Sequence, residues 1–444
     1  MAHPNTIYAT LDEWIASESI PCSPDVLESF NAAIDLVIAS LDNSVELLGF
    51  GEALHGGEDI LRFRNQLFQR LVEAHGYSAI AIESSFPKSH VVNEYIVGRG
   101  PASYDTVQDA GFSHSFGQLH ATRELVEWMR SYNADASHPV KLHFYGFDSP
   151  IEITGADSPR HVLHFALDYF TSLDKAGGQA YRGRIDPLLG QDDAWENLEA
   201  MMDPAKSIGR SPQANALRLA TEELISELCV HRPELVAKSG QSRYLEALQY
   251  AVEARQLLNY HAEIARQSEQ RMSRLLGLRD TIMADNLAYI VSQERERGKV
   301  LVFAHNSHLQ RGEAVLKGEW QGEAYSWTWW PVGAHLNAMF GKRYTIIGSA
   351  VGESLANGID QPEPGTLEAR LLSQPGAVCF IPTHQGQGLA ISDLPTRSGS
   401  MKNPSYAPLT PQSLTNFDWL AVFDSTALSR GVPWLESADT NAEE

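Results

Sequence analysis

The first 46 residues carry apolar positions at helical spacing, over Leu11 to Ser17 and again over Asp25 to Ser40, so both stretches are expected to be helices. The pattern then changes. An apolar run up to Phe50 reads as a buried strand, and Gly51-Glu52-Ala53-Leu54-His55-Gly56-Gly57 reads as a glycine-rich loop. A helix is expected from about Glu58 to Ala74, with Glu58 and Asp59 in the first turn where the helix dipole favours them. Ser78 to Ile82 is a second buried strand that ends on Glu83. Placed at about 100° per residue, Ile60, Phe63, Leu67, Phe68 and Leu71 share one arc of the helix, and Arg64 falls inside it. A guanidinium on a buried face is costly without a partner. Arg64 is therefore expected to meet a carboxylate, with Glu52 and Glu83 the candidates.

Tyr104 to Phe116 shows little periodicity and reads as a loop holding His114; Gly117 to Asn133 reads as a helix. Val140 to Phe147 is a third strand, closing on Asp148. From about residue 160 to 298 the pattern is almost wholly helical, notably over 160–174, 213–230, 241–268 and 271–297. Strands resume at Lys299 to Phe303, which runs into Ala304-His305-Asn306-Ser307-His308. A loop with Trp320, Trp327, Trp329 and Trp330 follows, then a helix from Val332 to Phe340. Further strands are expected at Arg343 to Ile347, Ala377 to Ile381 and Trp419 to Phe423, with loop over 383–416 and a frayed acidic tail over the last dozen residues. Apolar strands separated by helices indicate an α/β fold, a mostly parallel sheet flanked by helices. The long helical stretch is expected to be an insertion walling an active-site cleft. This divides the chain into 1–159 (N-terminal helices and first part of the core), 160–298 (helical insertion) and 299–444 (second part of the core).

Composition narrows the setting. A chain of 444 residues with 43% hydrophobic content can bury a large core. A net charge of −22, with no Lys/Arg cluster along the sequence to offset it, argues against a nucleic-acid footprint or a basic membrane-surface protein. The three cysteines, Cys22, Cys229 and Cys379, lie far apart without a CxxC pattern, which fits a reducing compartment. No basic-then-apolar leader opens the chain, and no run reaches the roughly 18 apolar residues of a membrane helix. The expectation is a cytoplasmic protein with a small-molecule substrate, no nucleic-acid or membrane partner and an open oligomeric state.

In open α/β sheets, functional groups gather beyond the carboxyl ends of the strands. Glu52 and His55, Glu83, Asp148, and His305 with His308 all fall there. Three chemistries could use them. An imidazole oriented by a carboxylate can remove a proton from water, which suits His55 with Glu52 or Glu83; Arg64, His305 and His308 would then bind a substrate carbonyl or developing negative charge. Glutamate and histidine can also hold a divalent ion, although the spacing here is HxxH and not the helical HExxH. A serine nucleophile is disfavoured, because Gly111-Phe112-Ser113-His114-Ser115 lacks the final glycine of a G-x-S-x-G elbow. His75, His90, His138, His143, His161 and His164 have no comparable setting, and His335 is expected to be structural.

These residues resemble the erythromycin esterase family, which also includes homologues labelled as succinoglycan biosynthesis proteins. The similarity lies in GEALHG at 51–56, FRNQLFQRLVEAHGYSAIAIE at 63–83, GFD at 146–148, RDTIMADN at 279–286, AHNSHLQRG at 304–312 and the segment from GAHL to YTIIGSA at 333–350. The resemblance implies an α/β core with a helical insertion and a deep cleft. It also implies hydrolysis of a macrolide lactone by histidine-activated water, with no metal, cofactor or covalent intermediate. Carried over by motif, His55 is the base, supported by Glu52 and Glu83, and Arg64, His305 and His308 take the remaining, substrate-binding positions. Two departures stand out: Leu54 replaces a small or polar residue in the loop, and HNSH replaces HNGH. A divalent-metal hydrolase built on the same Glu/His cluster, and a small-molecule-binding protein without chemistry, are the alternatives.

Overall fold

The apolar runs become one eight-stranded sheet. In chain order its strands are β1 (Ile20–Cys22), β2 (Leu47–Glu52), β3 (Tyr77–Ser85), β4 (His143–Asp148), β5 (Lys299–His305), β6 (Tyr344–Glu353), β7 (Val378–Pro382) and β8 (Trp419–Ser425). The structure is a computed structural model describing residues 8–431, apart from 153, 154, 321, 322, 375, 385, 387, 390 and 392. Across the sheet the order is β1-β7-β8-β6-β2-β5-β3-β4. Every adjacent pair is parallel except the two that involve β7. Strands β2 and β3 are buried along their whole length, as continuous apolar runs require when helices cover both faces of a parallel sheet.

On one face, Phe63 of the Glu58–Ala74 helix packs against Phe30, Phe50, Phe380 and Phe423, with ring centroids 5.2–5.8 Å apart. On the other, Met283, Leu287 and Ile290 of the Arg271–Glu294 helix cover Val300 and Val302 of β5. The same helix turns Leu275 and Ile282 into a separate apolar cluster shared with the Arg160–Leu173, Pro212–Val230 and Gln241–Ile264 helices. It is therefore a wall common to the sheet and to the helical layer.

Topology places the crevice. The chain leaves β2 toward β3 on one side and leaves β5 toward β6 on the other, so the connections diverge above the central β2–β5 pair. Register sets Glu52 directly opposite His305. Between Ile82 and Ser85, β3 carries one residue more than β4 needs, a bulge that re-aims Glu83 and Ser84 at the strand end. The bulge requires Gly146 across from it, where a Cβ would lie 2.4 Å from the Ser84 carbonyl oxygen.

Three expectations change. Residues expected to be loop near His114 begin with a helix, Tyr104–Ala110, whose buried pair Tyr104 and Val107 is too brief a pattern to show periodicity. The tryptophan-rich stretch is an antiparallel hairpin, Ala314–Trp320 with Glu323–Trp329, in which Tyr325, Trp327 and Trp329 alternate with exposed neighbours. Between the two N-terminal helices, where no strand is expected, the chain forms the edge strand β1, only three residues long and including Pro21, which an edge tolerates. The expected acidic tail lies outside the described residues.

Gly51 lets β2 pass the start of the segment after β5. A Cβ there would lie 2.2 Å from Asn306 Oδ1, and Asn306 is itself buried and tied to Ser349 in both directions. Gly51→Ala should cost about 1–3 kcal/mol of stability, the usual range for overpacking. It should be read as a lower denaturant midpoint with an unchanged m value; an unchanged midpoint would show that Asn306 can yield without loss.

Candidate active site

The loop after β2 delivers His55 and is held from a distant part of the chain. The His55 N–H donates to Ser405 Oγ (2.9 Å), and Asn403 Nδ2 donates to the His55 carbonyl (3.0 Å). Gly56 follows with φ of +76°, a conformation that glycine adopts without strain. His55 Nδ1 lies 2.6 Å from Glu52 Oε1. The carboxylate is sealed, while a quarter of the histidine side chain is exposed (25% against 4%). A carboxylate on Nδ1 fixes the proton there and leaves Nε2, which has no hydrogen-bond partner among the described residues, as the basic atom. Burial raises the Glu52 carboxyl against the pull of His55. Burial opposes a charge on His55, but Glu52 and then Glu83 outweigh it and hold the imidazole above its usual range. The pair therefore keeps one proton to higher pH than a free imidazole would.

Glu83 organises the next layer. Its Oε2 accepts the backbone N–H of His305 (2.9 Å), and its Oε1 lies 3.3 Å from His308 Nε2 and 3.5 Å from Arg279 Nη2. Burial pushes its pKa up, yet His308, His55 and Arg279 together hold it well below the carboxylate range. His308 lies between two carboxylates, since its Nδ1 is also 2.7 Å from Asp280 Oδ1. Against burial, Asp280 and Glu83 push it up to about 10, so it is an imidazolium at neutral pH. Trp329 of the hairpin donates its indole N–H to the other Asp280 oxygen (2.7 Å).

His305 is the opposite case. Its Nε2 faces the Ser405 carbonyl at 2.8 Å, and a carbonyl can only accept, so Nε2 carries the proton. Nδ1 then accepts from Ser307, through both its backbone N–H (3.2 Å) and its hydroxyl (2.7 Å). Burial, reinforced by repulsion from His55 5.1 Å away, lowers its pKa to about 3.

Arg64 departs from expectation. It forms no ion pair with a described carboxylate. Nε and Nη2 donate to Asn65 Oδ1 (3.1 and 2.8 Å), Nη2 also reaches the Ala121 carbonyl (3.5 Å), and the guanidinium lies 4.9 Å from the centre of the Phe303 ring. At 1% exposure it lies beneath the site rather than at its mouth. It shares with Glu52 and Glu83 a cavity of ≈10 Å³, about the room of one water. Glu52 Oε2, buried and without a hydrogen-bond partner among the described residues, belongs to the same carboxylate. The charges interact across this space, because Glu52 is the foremost influence opposing the fall of Arg64 to about 10, which burial causes.

Sequence reasoning thus brought Glu52, His55, Glu83, His305 and His308 to one place and missed what holds them. Arg279 grips Asp148 through two bonds (3.1 and 2.5 Å), and His114 Nε2 approaches the same carboxylate at 3.2 Å from a backbone with positive φ at both His114 and Ser115. Arg279 and Asp280 are adjacent charges on a helix whose apolar positions, Leu275, Ile282 and Met283 among them, face both the sheet and the helical layer, so no single apolar arc marked them as an arc marked Arg64. Ser405 and Asn403 carried no signal in their loop.

In total, the described site combines four carboxylates (Glu52, Glu83, Asp148, Asp280) with two arginines (Arg64, Arg279), the His308 imidazolium, a neutral His305 and His55. Leaving His55 aside the formal balance is 3 − 4 = −1, and a proton on His55 brings it to zero. Among the described residues, no three His, Cys, Asp or Glu side chains are placed to share one metal ion.

Known proteins agree with this architecture. A family model described as erythromycin esterase matches residues 72–426, beginning after the His55 loop. Erythromycin esterase type II of Escherichia coli is 24% identical over 319 residues, covering 69% of this chain and 70% of that one. The type I enzyme of the same organism is 21% identical over 329 residues, covering 71% and 74%. A solved structure of a succinoglycan biosynthesis protein superposes with a TM-score of 0.67 at 17% identity, covering 94% of this chain and 97% of that one. A mutant of the erythromycin esterase EreC in its open conformation gives 0.64 at 18%, covering 93% and 99%. With a sheet of matching fold and a family match spanning most of its length, the chain belongs to the erythromycin esterase family of carboxylic-ester hydrolases.

Proposed function

We propose that the protein hydrolyses a macrolide lactone with water activated by His55. The observation that carries this reading is the His55–Glu52 pair, a buried carboxylate on Nδ1 behind a partly exposed ring whose Nε2 is free. His55 Nε2 takes a proton from water as the oxygen adds to the lactone carbonyl carbon. The tetrahedral intermediate then collapses, the carbonyl-carbon to ring-oxygen bond breaks, and the departing alkoxide takes the proton back from His55. Glu52 keeps the ring oriented and stabilises its charged form. Glu83 holds His305 and His308 in register above the sheet. Of the two contacts of the His308 imidazolium, the one to Glu83 is longer (3.3 against 2.7 Å), so its Nε2–H is the donor that can turn to a developing oxyanion. Arg64 acts from below as a fixed positive charge opposite Glu52.

A macrolide is the leading substrate because the two Escherichia coli relatives described above are named for erythromycin. The deeper chemistry rests on the site alone. A covalent route through Ser405 has less support, because its hydroxyl donates to Asn403 Oδ1 (2.6 Å) and only its oxygen meets the His55 loop, as acceptor of the backbone N–H. The divalent-metal alternative also has less support, since both His305 nitrogens are engaged and His308 is protonated between two carboxylates.

Metal-stripped protein incubated with a macrolide panel should add one water to a substrate, detected by mass spectrometry. His55→Asn should reduce the rate about 10²–10⁴-fold, the usual contribution of a general base. Product only after a divalent ion is restored would favour the metal route instead.

The acid limb of kcat/KM should lie above the usual imidazole value, because carboxylates raise His55 and the base form appears only after that proton leaves. In Glu52→Gln the limb should move to lower pH, since the main influence opposing burial is gone, and kcat should fall with the lost orientation. A limb that stays in place would remove His55 as the titrating base.

Asp280 is expected to keep His308 charged up to about pH 10. Asp280→Asn should bring an alkaline limb down toward neutrality with a lower kcat. An unchanged alkaline profile in this variant would separate His308 from the reaction.

A further inference from the structure

Away from the sheet, where the Gln241–Ile264 helix ends and the Arg271–Glu294 helix begins, the surface holds an open groove of ≈640 Å³. Its charged lining is Arg210, Arg218, Arg266, Arg274 and Glu263, a local balance of 4 − 1 = +3 on a chain whose net charge is −22. The volume is within the range of small-molecule sites, about 300–1,000 Å³.

The cations are held without being neutralised. Arg210 Nε donates to the Ala262 carbonyl (2.9 Å). Arg218 Nη1 donates to the Gly209 carbonyl (3.1 Å), and its Nη2 meets Asn215 Oδ1. Neither arginine forms an ion pair with a described carboxylate. Burial and then the charge of Arg210 lower the Arg218 pKa, so the two guanidiniums face each other's field. Arg266 and Arg274 share the single carboxylate of Glu263 through their Nε atoms (3.2 and 3.0 Å), so two cations there have one anion between them. The backbone that carries Arg210 is fixed as well: a Cβ on Gly209 would lie 1.9 Å from the His261 carbonyl oxygen, so only glycine permits this packing.

A structural role accounts for part of this. Arg210 lies at the carboxyl end of the Gln241–Ile264 helix, where a cation is favoured by the helix dipole. That does not account for Arg218, set two turns into its own helix beside a like charge, nor for four arginines lining one concavity with a single carboxylate among them. Repulsion of this kind is relieved by a multivalent oxyanion, whose oxygens match planar guanidinium forks. We propose that this groove is a binding site for a small polyvalent oxyanion of the phosphate class, separate from the His55 site and independent of the esterase chemistry.

The test is isothermal titration of the full chain with pyrophosphate at low ionic strength, beside sodium chloride of matched ionic strength. One saturable site is expected, absent with chloride. The R210Q/R218Q variant should bind at least about tenfold more weakly, while R184Q, an exposed arginine elsewhere on the helical layer, should bind as the parent does. Sedimentation with phosphatidylglycerol vesicles distinguishes a free anion from a lipid headgroup: a concave site should take pyrophosphate and leave the vesicles unbound. Absence of saturable pyrophosphate binding, equal binding by R210Q/R218Q, or binding to vesicles alone would overturn the proposal.

Discussion

The site depends on burying four carboxylates, three at the ends of parallel strands and one within a helix, without letting them repel one another apart. Each is matched by a cation drawn from a different element: Glu83 and Asp148 by Arg279, Asp280 and Glu83 by His308, and Glu52 by its bond to His55 with Arg64 below. A single buried carboxylate in this position would simply take up a proton. Connected as they are, three cations leave one negative charge over, and that deficit is what makes His55 a stronger base than a free imidazole. The bulge in β3 and the β2–β5 register serve this balance, because they bring Glu83 and Glu52 within reach of cations carried by the connecting segments.

Much of this was legible in the sequence, for physical reasons. A strand buried on both faces must read as an apolar run, so a charge at its end stands out; Glu52, Glu83, Asp148 and His305 were all found in that way. Arg64 was conspicuous because a helix face has a calculable arc. Its partner was not, because Asn65 is its immediate neighbour, and an amide beside a guanidinium leaves no trace in a pattern read for charge. Arg279 and Asp280 were hidden by length. On a 24-residue helix buried on two sides, the polar stripe no longer separates core from surface. Ser405 and Asn403 act through backbone contacts across roughly 350 residues of separation, which no local pattern encodes.

The Arg271–Glu294 helix joins the two halves of the problem. Met283, Leu287 and Ile290 lock it to the sheet, Leu275 and Ile282 lock it to the helical layer, and between them it presents Arg279 and Asp280 to the strand ends. The other helices of that layer supply surface without supplying these charges. Their side chains can therefore vary without touching the paired charges at the strand ends or the His55–Glu52 pair. The helix itself lacks that freedom. Asp280 bonds both His308 and Trp329 of the hairpin, so a change in the packing of this helix reaches the strand-end network and the hairpin together.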